Sequence, residues 1–178
     1  MPASLYPLPR TGLGQDSHRF VDEANPKPLV LGGLVIPEGP GLLANSDGDV
    51  LLHALCNAIS SVTTVPILGA KADDMCRAGV TDSSAYLKEA LKLLEASQNP
   101  SGHRLELVSL AFSIEGKRPK LLKHIPAMRE SIADLCGLPA CRVGITATTG
   151  EGLTDFGRGL GLQAFCVADF REWGDEAW

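Results

Sequence analysis

Two hydrophobic periodicities alternate along this chain, and that alternation most limits what it can fold into. "LELVSLAFSIEG" switches between apolar and polar residues with the period of a strand. "DSSAYLKEALKLLEAS" instead repeats Tyr86, Leu87, Ala90, Leu91 and Leu94 at helical spacing. Further strands are predicted in "TGLGQDSHRF", "CRVGITAT", "LQAFCVADF" and "PLVLGGLVIP", the last broken into a hairpin by Gly32-Gly33. Further helices are predicted in "GLLANSDGDVLLHALCNAISSV", with Ser46 as its cap three residues before Asp49, and in "PKLLKHIPAMRESIADLCG". The latter opens near Pro119 and closes at Gly137. "VPILGAKADDMCRAGVTDS" and "TGEGLTDFGRGLG" read as irregular connections, and "REWGDEAW" as a frayed end or peripheral cap. Strands interleaved with helices predict an α/β (α+β) fold of two layers, with helices packed on one mixed β-sheet. At 178 residues the chain suits one domain, with residues 11–170 as its core and 171–178 as a tail.

Charge narrows the partners. A formal charge of -5 argues against general nucleic-acid binding, and no apolar run approaches a membrane span. The opening "MPASLYPLPR" is too short for a signal or transit peptide. Five cysteines without a C-x-x-C pair read as free thiols in a reducing compartment, which places the protein in cytoplasm.

The chemistry starts at "GLGQDSHRF". Asp16 and His18 stand at i and i+2 on a predicted strand, so both side chains leave the same face. They are either polar groups at a strand end or two ligands of one metal. His53, on the first helix, would complete an Asp/His/His set with an open fourth position, the pattern of a reactive zinc site. A core or surface role for a lone helix histidine is the alternative. His103 reads as a turn residue and His124 as a structural helix residue.

Four segments together go further. "GLGQDSHRF", "GLLANSDGDVLLHAL", "RPKLLKHIPAMR" and "ITATTGEGLTDFGRG" resemble, in order and spacing, the 2-C-methyl-D-erythritol 2,4-cyclodiphosphate synthase family. The resemblance runs from about Gly12 to Phe165. It implies a homotrimer of subunits with ferredoxin-like repeats and active sites at the subunit interfaces. The implied activity is a cyclising, CMP-releasing phosphorus–oxygen lyase of non-mevalonate isoprenoid synthesis. The 2-phosphate of 4-diphosphocytidyl-2-C-methyl-D-erythritol 2-phosphate attacks the β-phosphorus of its own diphosphate, and CMP leaves.

Carried over residue by residue, the resemblance makes Asp16, His18 and His53 the ligands of Zn2+, and Glu151 a holder of Mg2+ or Mn2+ on the CDP phosphates. Asn45 and Thr149 take the catalytic positions. Substrate contacts fall on Asp16, Ser17, His18, Asn45, Ser46, Gly116, Pro119, Lys120, Leu121, Leu122, Ala147, Thr148, Thr149, Glu151 and Arg158. Gly116 to Leu122, with Ala147, would enclose the cytosine beside a neighbouring subunit's zinc.

Three departures stand out. Asn45 replaces a family histidine and is expected to act as a neutral donor. The "LGAKADDMCRAGVTDS" loop is rewritten, with Ala70 and Asn57 in place of family acids and Asp73 or Asp74 as candidate hydroxyl acceptors. Asp155 and Leu160 replace a phenylalanine and an acid, so Arg158 is expected to pair with Asp155. Two other functions share these residues: a metal-dependent nucleotide-diphosphate phosphoesterase using metal-bound water, and a non-catalytic binder of CDP ligands.

Overall fold

The computed structural model describes residues 7–173. Strand β1 (Leu8–Arg19) is followed by a small hairpin, β2 (Leu29–Leu31) and β3 (Leu34–Ile36). Gly32 and Gly33 turn that hairpin with positive φ, as their pairing predicts. Helices α1 (Val50–Thr63), α2 (Ala70–Arg77) and α3 (Ser83–Lys92) lead to β4 (Arg104–Glu115). Helix α4 (Ile125–Cys136), β5 (Val143–Thr148), a one-turn α5 (Asp155–Arg158) and β6 (Gly161–Trp173) complete the described chain.

The main sheet has the order β1-β6-β4-β5. β4 and β5 are parallel and the other pairs antiparallel, so the sheet is mixed, as expected. Ferredoxin-like repeats are not seen among the described residues. Both helical crossovers, β1 to β4 and β4 to β5, share β4, so the chain does not divide into two equivalent units.

The helices cover one face. Leu162, Ala164, Cys166, Ala168 and Phe170 of β6 point into the core with Leu51, Leu55 and Ile59 of α1. The opposite sheet face stays open, and it carries an exposed apolar cluster among polar residues. Leu13 is 61 % exposed and Phe165 42 % exposed, with Val167 beside them.

Glycines on β1 set how closely α1 approaches. A Cβ on Gly12 would overlap the Ala58 carbonyl, and one on Gly14 would overlap backbone of Ala54 and Ala58. The helix therefore lies directly against the strand, and the next inward-facing positions, 16 and 18, come opposite the start of α1. Gly14→Ala is expected to cost about 1–3 kcal/mol by overpacking and to weaken metal binding by pushing α1 away. Thermal unfolding with and without zinc checks both; a variant as stable as the parent would show that the contact is loose.

Several boundaries differ from expectation. The cap of α1 is Asp49, whose Oδ1 accepts the N–H groups of Leu51 and Leu52 at 3.1 Å. Ser46 sits too early, because Gly48 (φ 80°) turns the chain before the helix begins. Asp49 also accepts the Gly33 N–H at 2.6 Å, tying the hairpin to α1. Burial pushes the Asp49 carboxyl up to about 6, against the pull of these N–H groups. α2 forms where an irregular loop was expected; it buries no residue, so no apolar stripe announced it. α4 begins at Ile125 with proline in its first turn, so Pro119 lies in the preceding loop. β6 runs through Trp173, so residues 171–173 of the expected tail are strand, and residues 174–178 lie outside the described residues.

Cys56 and Cys166 are buried, Cys76 and Cys136 half-buried and Cys141 exposed, all as free thiols. Among the described residues no helix is long and apolar enough to cross a membrane.

Candidate functional site

β1 delivers Asp16 and His18 to one side, and α1 delivers His53 to meet them. Asp16 Oδ2 lies 3.0 Å from His18 Nε2 and 2.9 Å from His53 Nδ1, and the two ring nitrogens are 3.4 Å apart. Three ligands about 2.0–2.1 Å from a tetrahedral ion stand roughly 3.3 Å apart. This triangle is therefore of metal-site size, and its donor set, two imidazoles and a carboxylate, suits a borderline divalent ion. Burial pushes the Asp16 carboxyl up, but hydrogen bonds and charge from His18 and His53 outweigh it and hold the group well below the usual carboxylate range. Asp16 is thus ionised and ready to ligate.

The triangle opens into a cleft of about 340 Å³. Asn45 and Ser46 form one rim, and Asp73 and Cys76 of α2 form another. Of the two candidate hydroxyl acceptors, Asp73 lines the cleft. Asn45 is exposed there, and its backbone carbonyl accepts the Cys76 thiol at 3.2 Å. Beneath this rim runs Lys27, which no local pattern in the sequence singles out. Its Nζ donates to the carbonyls of Leu42 (3.2 Å), Ala44 (3.3 Å) and Ser46. Those alternate carbonyls turn inward on the ammonium, which leaves the residues between them facing the solvent side. Burial pushes the Lys27 ammonium down while the nearby Asp47 charge pulls it back up.

Ser17, between the two ligands on β1, faces the other side of the sheet by strand alternation. The remaining expected contacts gather elsewhere. Gly116 N–H donates to the Thr148 carbonyl at 3.0 Å, and Lys117 N–H to the Phe156 carbonyl at 3.1 Å. Thr149 Oγ1 donates to Glu151 Oε1 at 3.2 Å. Glu151 itself holds a left-handed backbone (φ 49°), unusual for a non-glycine residue and a common mark of functional loops. Lys120 and Leu122 are exposed, Leu122 at 81 %, and Pro119 and Ala147 stand near the same loops. Leu121 is only 6 % exposed and joins the core, so it offers no free wall for a base. Arg158 pairs with Asp155 at 3.2 Å, as the replaced neighbours predict.

This second cluster sits at the C-terminal ends of β4 and β5, and the metal triangle at the C-terminal end of β1. Both lie at the same end of the sheet, on opposite edges of the order β1-β6-β4-β5. Three strand spacings of about 4.8 Å separate those edges by roughly 14 Å. Among the described residues, none of the second cluster lines the metal cleft. His103 bonds Glu172 at 3.1 Å and His124 bonds Glu38 at 2.7 Å, both away from the triangle.

A family model described as the YgbB family matches residues 9–170. Among curated proteins, a 2-C-methyl-D-erythritol 2,4-cyclodiphosphate synthase of Chlamydia muridarum is 52% identical over 178 aligned residues, covering 96% of each chain. One from Chlamydia caviae is 52% identical over 165 residues, covering 92% of this chain and 90% of the relative. A solved structure of 2C-methyl-D-erythritol-2,4-cyclodiphosphate synthase in a CDP-bound form superposes with a TM-score of 0.75 at 35% identity. It covers 90% of this chain and 99% of that one.

Proposed function

The chain belongs to the YgbB family, and from that premise we propose that it is a cytoplasmic 2-C-methyl-D-erythritol 2,4-cyclodiphosphate synthase of isoprenoid biosynthesis. The observation that carries this reading is the Asp16/His18/His53 triangle opening into a cleft, within a chain about half identical to such synthases over nearly its whole length. The substrate would be CDP-linked, in keeping with the CDP-bound neighbour.

In the reaction, a 2-phosphate oxygen of the substrate forms a bond to the β-phosphorus. The bond from that phosphorus to the oxygen bridging it to the CMP phosphate breaks, and CMP leaves with the bond's electron pair. Asp16, His18 and His53 would hold a zinc ion, and Glu151 a magnesium or manganese ion shared with the substrate phosphates. Bound there, these ions would supply charge neutralisation and a fixed approach of phosphate to phosphorus. Asn45 would donate its amide N–H to the diphosphate from the cleft rim, and Thr149 its hydroxyl from the opposite side. Gly116, Lys120 and Leu122, with Ala147, would hold the cytosine.

The two clusters lie on opposite edges of one sheet, so a single copy leaves each about a sheet's width from its counterpart. A closed ring of copies would set one copy's β1 edge beside the next copy's β5 edge. That supports a homotrimer with sites between subunits, and the exposed apolar cluster of Leu13, Phe165 and Val167 would be covered in it.

Product analysis tests the reading. Purified protein with zinc, magnesium and the CDP substrate should yield CMP and a cyclic diphosphate by phosphorus NMR. CMP with a linear product would mean hydrolysis, and no CMP would mean binding alone. Asn45→Ala is expected to slow turnover about 10-fold, the worth of one neutral hydrogen bond, with KM little changed. An unaltered kcat would remove Asn45 from the catalytic set.

A further inference from the structure

Behind the metal triangle, a short hydrogen-bond chain runs away from the cleft, through the buried start of α3, to half-buried Asp47. His53 Nε2 lies 2.9 Å from the Ser83 hydroxyl, the first residue of α3. That hydroxyl is bonded in turn to Asp47 Oδ1, and the Ser83 N–H donates to Asp47 Oδ2 at 3.0 Å. Ser83 is fully buried, and His53 is 6 % exposed. We propose that Asp47 is a positioning residue for the metal site: acting through the Ser83 hydroxyl, it fixes the polarity of this chain so that His53 keeps its proton on Nε2 and presents an unprotonated Nδ1 to the metal.

The direction follows from the two ends. Nδ1 faces Asp16 and His18 at 2.9 and 3.4 Å, so it is the ligating nitrogen and must carry no proton when a metal is bound. The proton of the neutral ring then sits on Nε2, which donates to Ser83 Oγ. A serine hydroxyl has one proton, and here it must point onward. Asp47, as a carboxylate, only accepts, so it holds that proton away from His53. Both of its oxygens are engaged by Ser83, which fixes the geometry as well as the charge. Ser46 Oγ lies 3.3 Å from the same Nε2 but has no carboxylate in this chain behind it. Without a carboxylate at position 47, the Ser83 hydroxyl is free to rotate and donate to Nε2. That favours the tautomer with the proton on Nδ1, where it opposes ligation. Partners behind metal-bound histidines typically control affinity by about 10- to 100-fold.

The inference rests on reading the triangle as a metal site. The test is zinc affinity by chelator competition, with thermal unfolding of the metal-free proteins alongside. Wild-type protein that binds no zinc would sink the metal-site reading itself. With the wild type binding, Asp47→Asn is expected to weaken zinc by about 10- to 100-fold, because the amide can donate to Ser83 and reverse the chain. Ser83→Ala is expected to lose less, and Asp47→Asn added to Ser83→Ala should cost nothing more, since the aspartate acts through that hydroxyl. Asp82→Asn, which alters the exposed cap of α3 without touching the chain, should bind zinc like the wild type. Asp47→Asn binding zinc as tightly as wild type would overturn the proposal, as would losses that simply add in the double variant. Should Asp47→Asn not fold, nitrogen-resolved NMR of zinc-loaded wild-type protein decides. A hydrogen-bonded, slowly exchanging Nε2 proton on His53 is expected, and a rapidly exchanging one would contradict the chain.

Discussion

His53→Ala is expected to abolish zinc retention and to lower kcat/KM for cyclisation by on the order of 10³-fold or more, several kcal/mol of metal-supplied stabilisation. The size of the effect follows from geometry. Asp16 and His18 are two residues apart on one strand and cannot surround an ion alone. His53 supplies the third donor from a different element, α1, and its Nδ1 lies within 3.4 Å of both partners. Asp16 would be left with His18 alone, a pair that any solvent-facing strand end could make. The fold should persist, because the packing of α1 rests on Leu51, Leu52, Leu55 and Ile59 rather than on the imidazole. Metal analysis of the purified variant, together with its unfolding temperature, separates loss of the ion from loss of structure. A folded His53→Ala protein that still holds stoichiometric zinc would refute the assignment of the triangle.

The second large effect is a gain rather than a loss. His53→Ala and Glu151→Ala are each expected to be nearly inactive alone. Mixed under conditions that exchange subunits, they should recover about a quarter of wild-type activity. In a cyclic assembly with each site drawn from two neighbouring copies, about one interface in four joins an intact triangle to an intact Glu151 loop. The reason to expect this is the roughly 14 Å across the sheet that separates the triangle from Glu151. Stopped assays on mixtures of defined ratio give the recovery curve. A flat line at the level of the parents would place both clusters in one subunit's site.

How much of this could be read beforehand depended on the distance over which each signal acts. Asp16 and His18 were legible because a strand's two-residue period alone puts them on one face. The Arg158–Asp155 pair was expected from the residues that replace a family phenylalanine and acid, and the one-turn α5, not foreseen in that Gly-rich connection, sets the two three residues apart. Spacing leaves His53 open, since nothing local says what a helix histidine faces. Gly12 and Gly14 hold that information, as the residues that let α1 lie on β1, but only the packed structure shows which helix they admit. The Asp47–Ser83–His53 chain spans 36 residues and the turn into α3, and Lys27 reaches three carbonyls across a loop. Neither leaves a periodic trace. α2 escaped because it buries nothing. Its neighbours in sequence point Leu121 at the base-binding wall, whereas the turn before α4 sends it inward and leaves Leu122 outside.

In the proposed reaction the bound substrate supplies its own nucleophile, and the triangle and the Glu151 loop only hold phosphates in place. Running the reaction in heavy-oxygen water and weighing the products by mass spectrometry tests it directly. Neither CMP nor the diphosphate product is expected to take up solvent oxygen. One heavy oxygen in either product would show that water attacks phosphorus, and that the site works as a hydrolase.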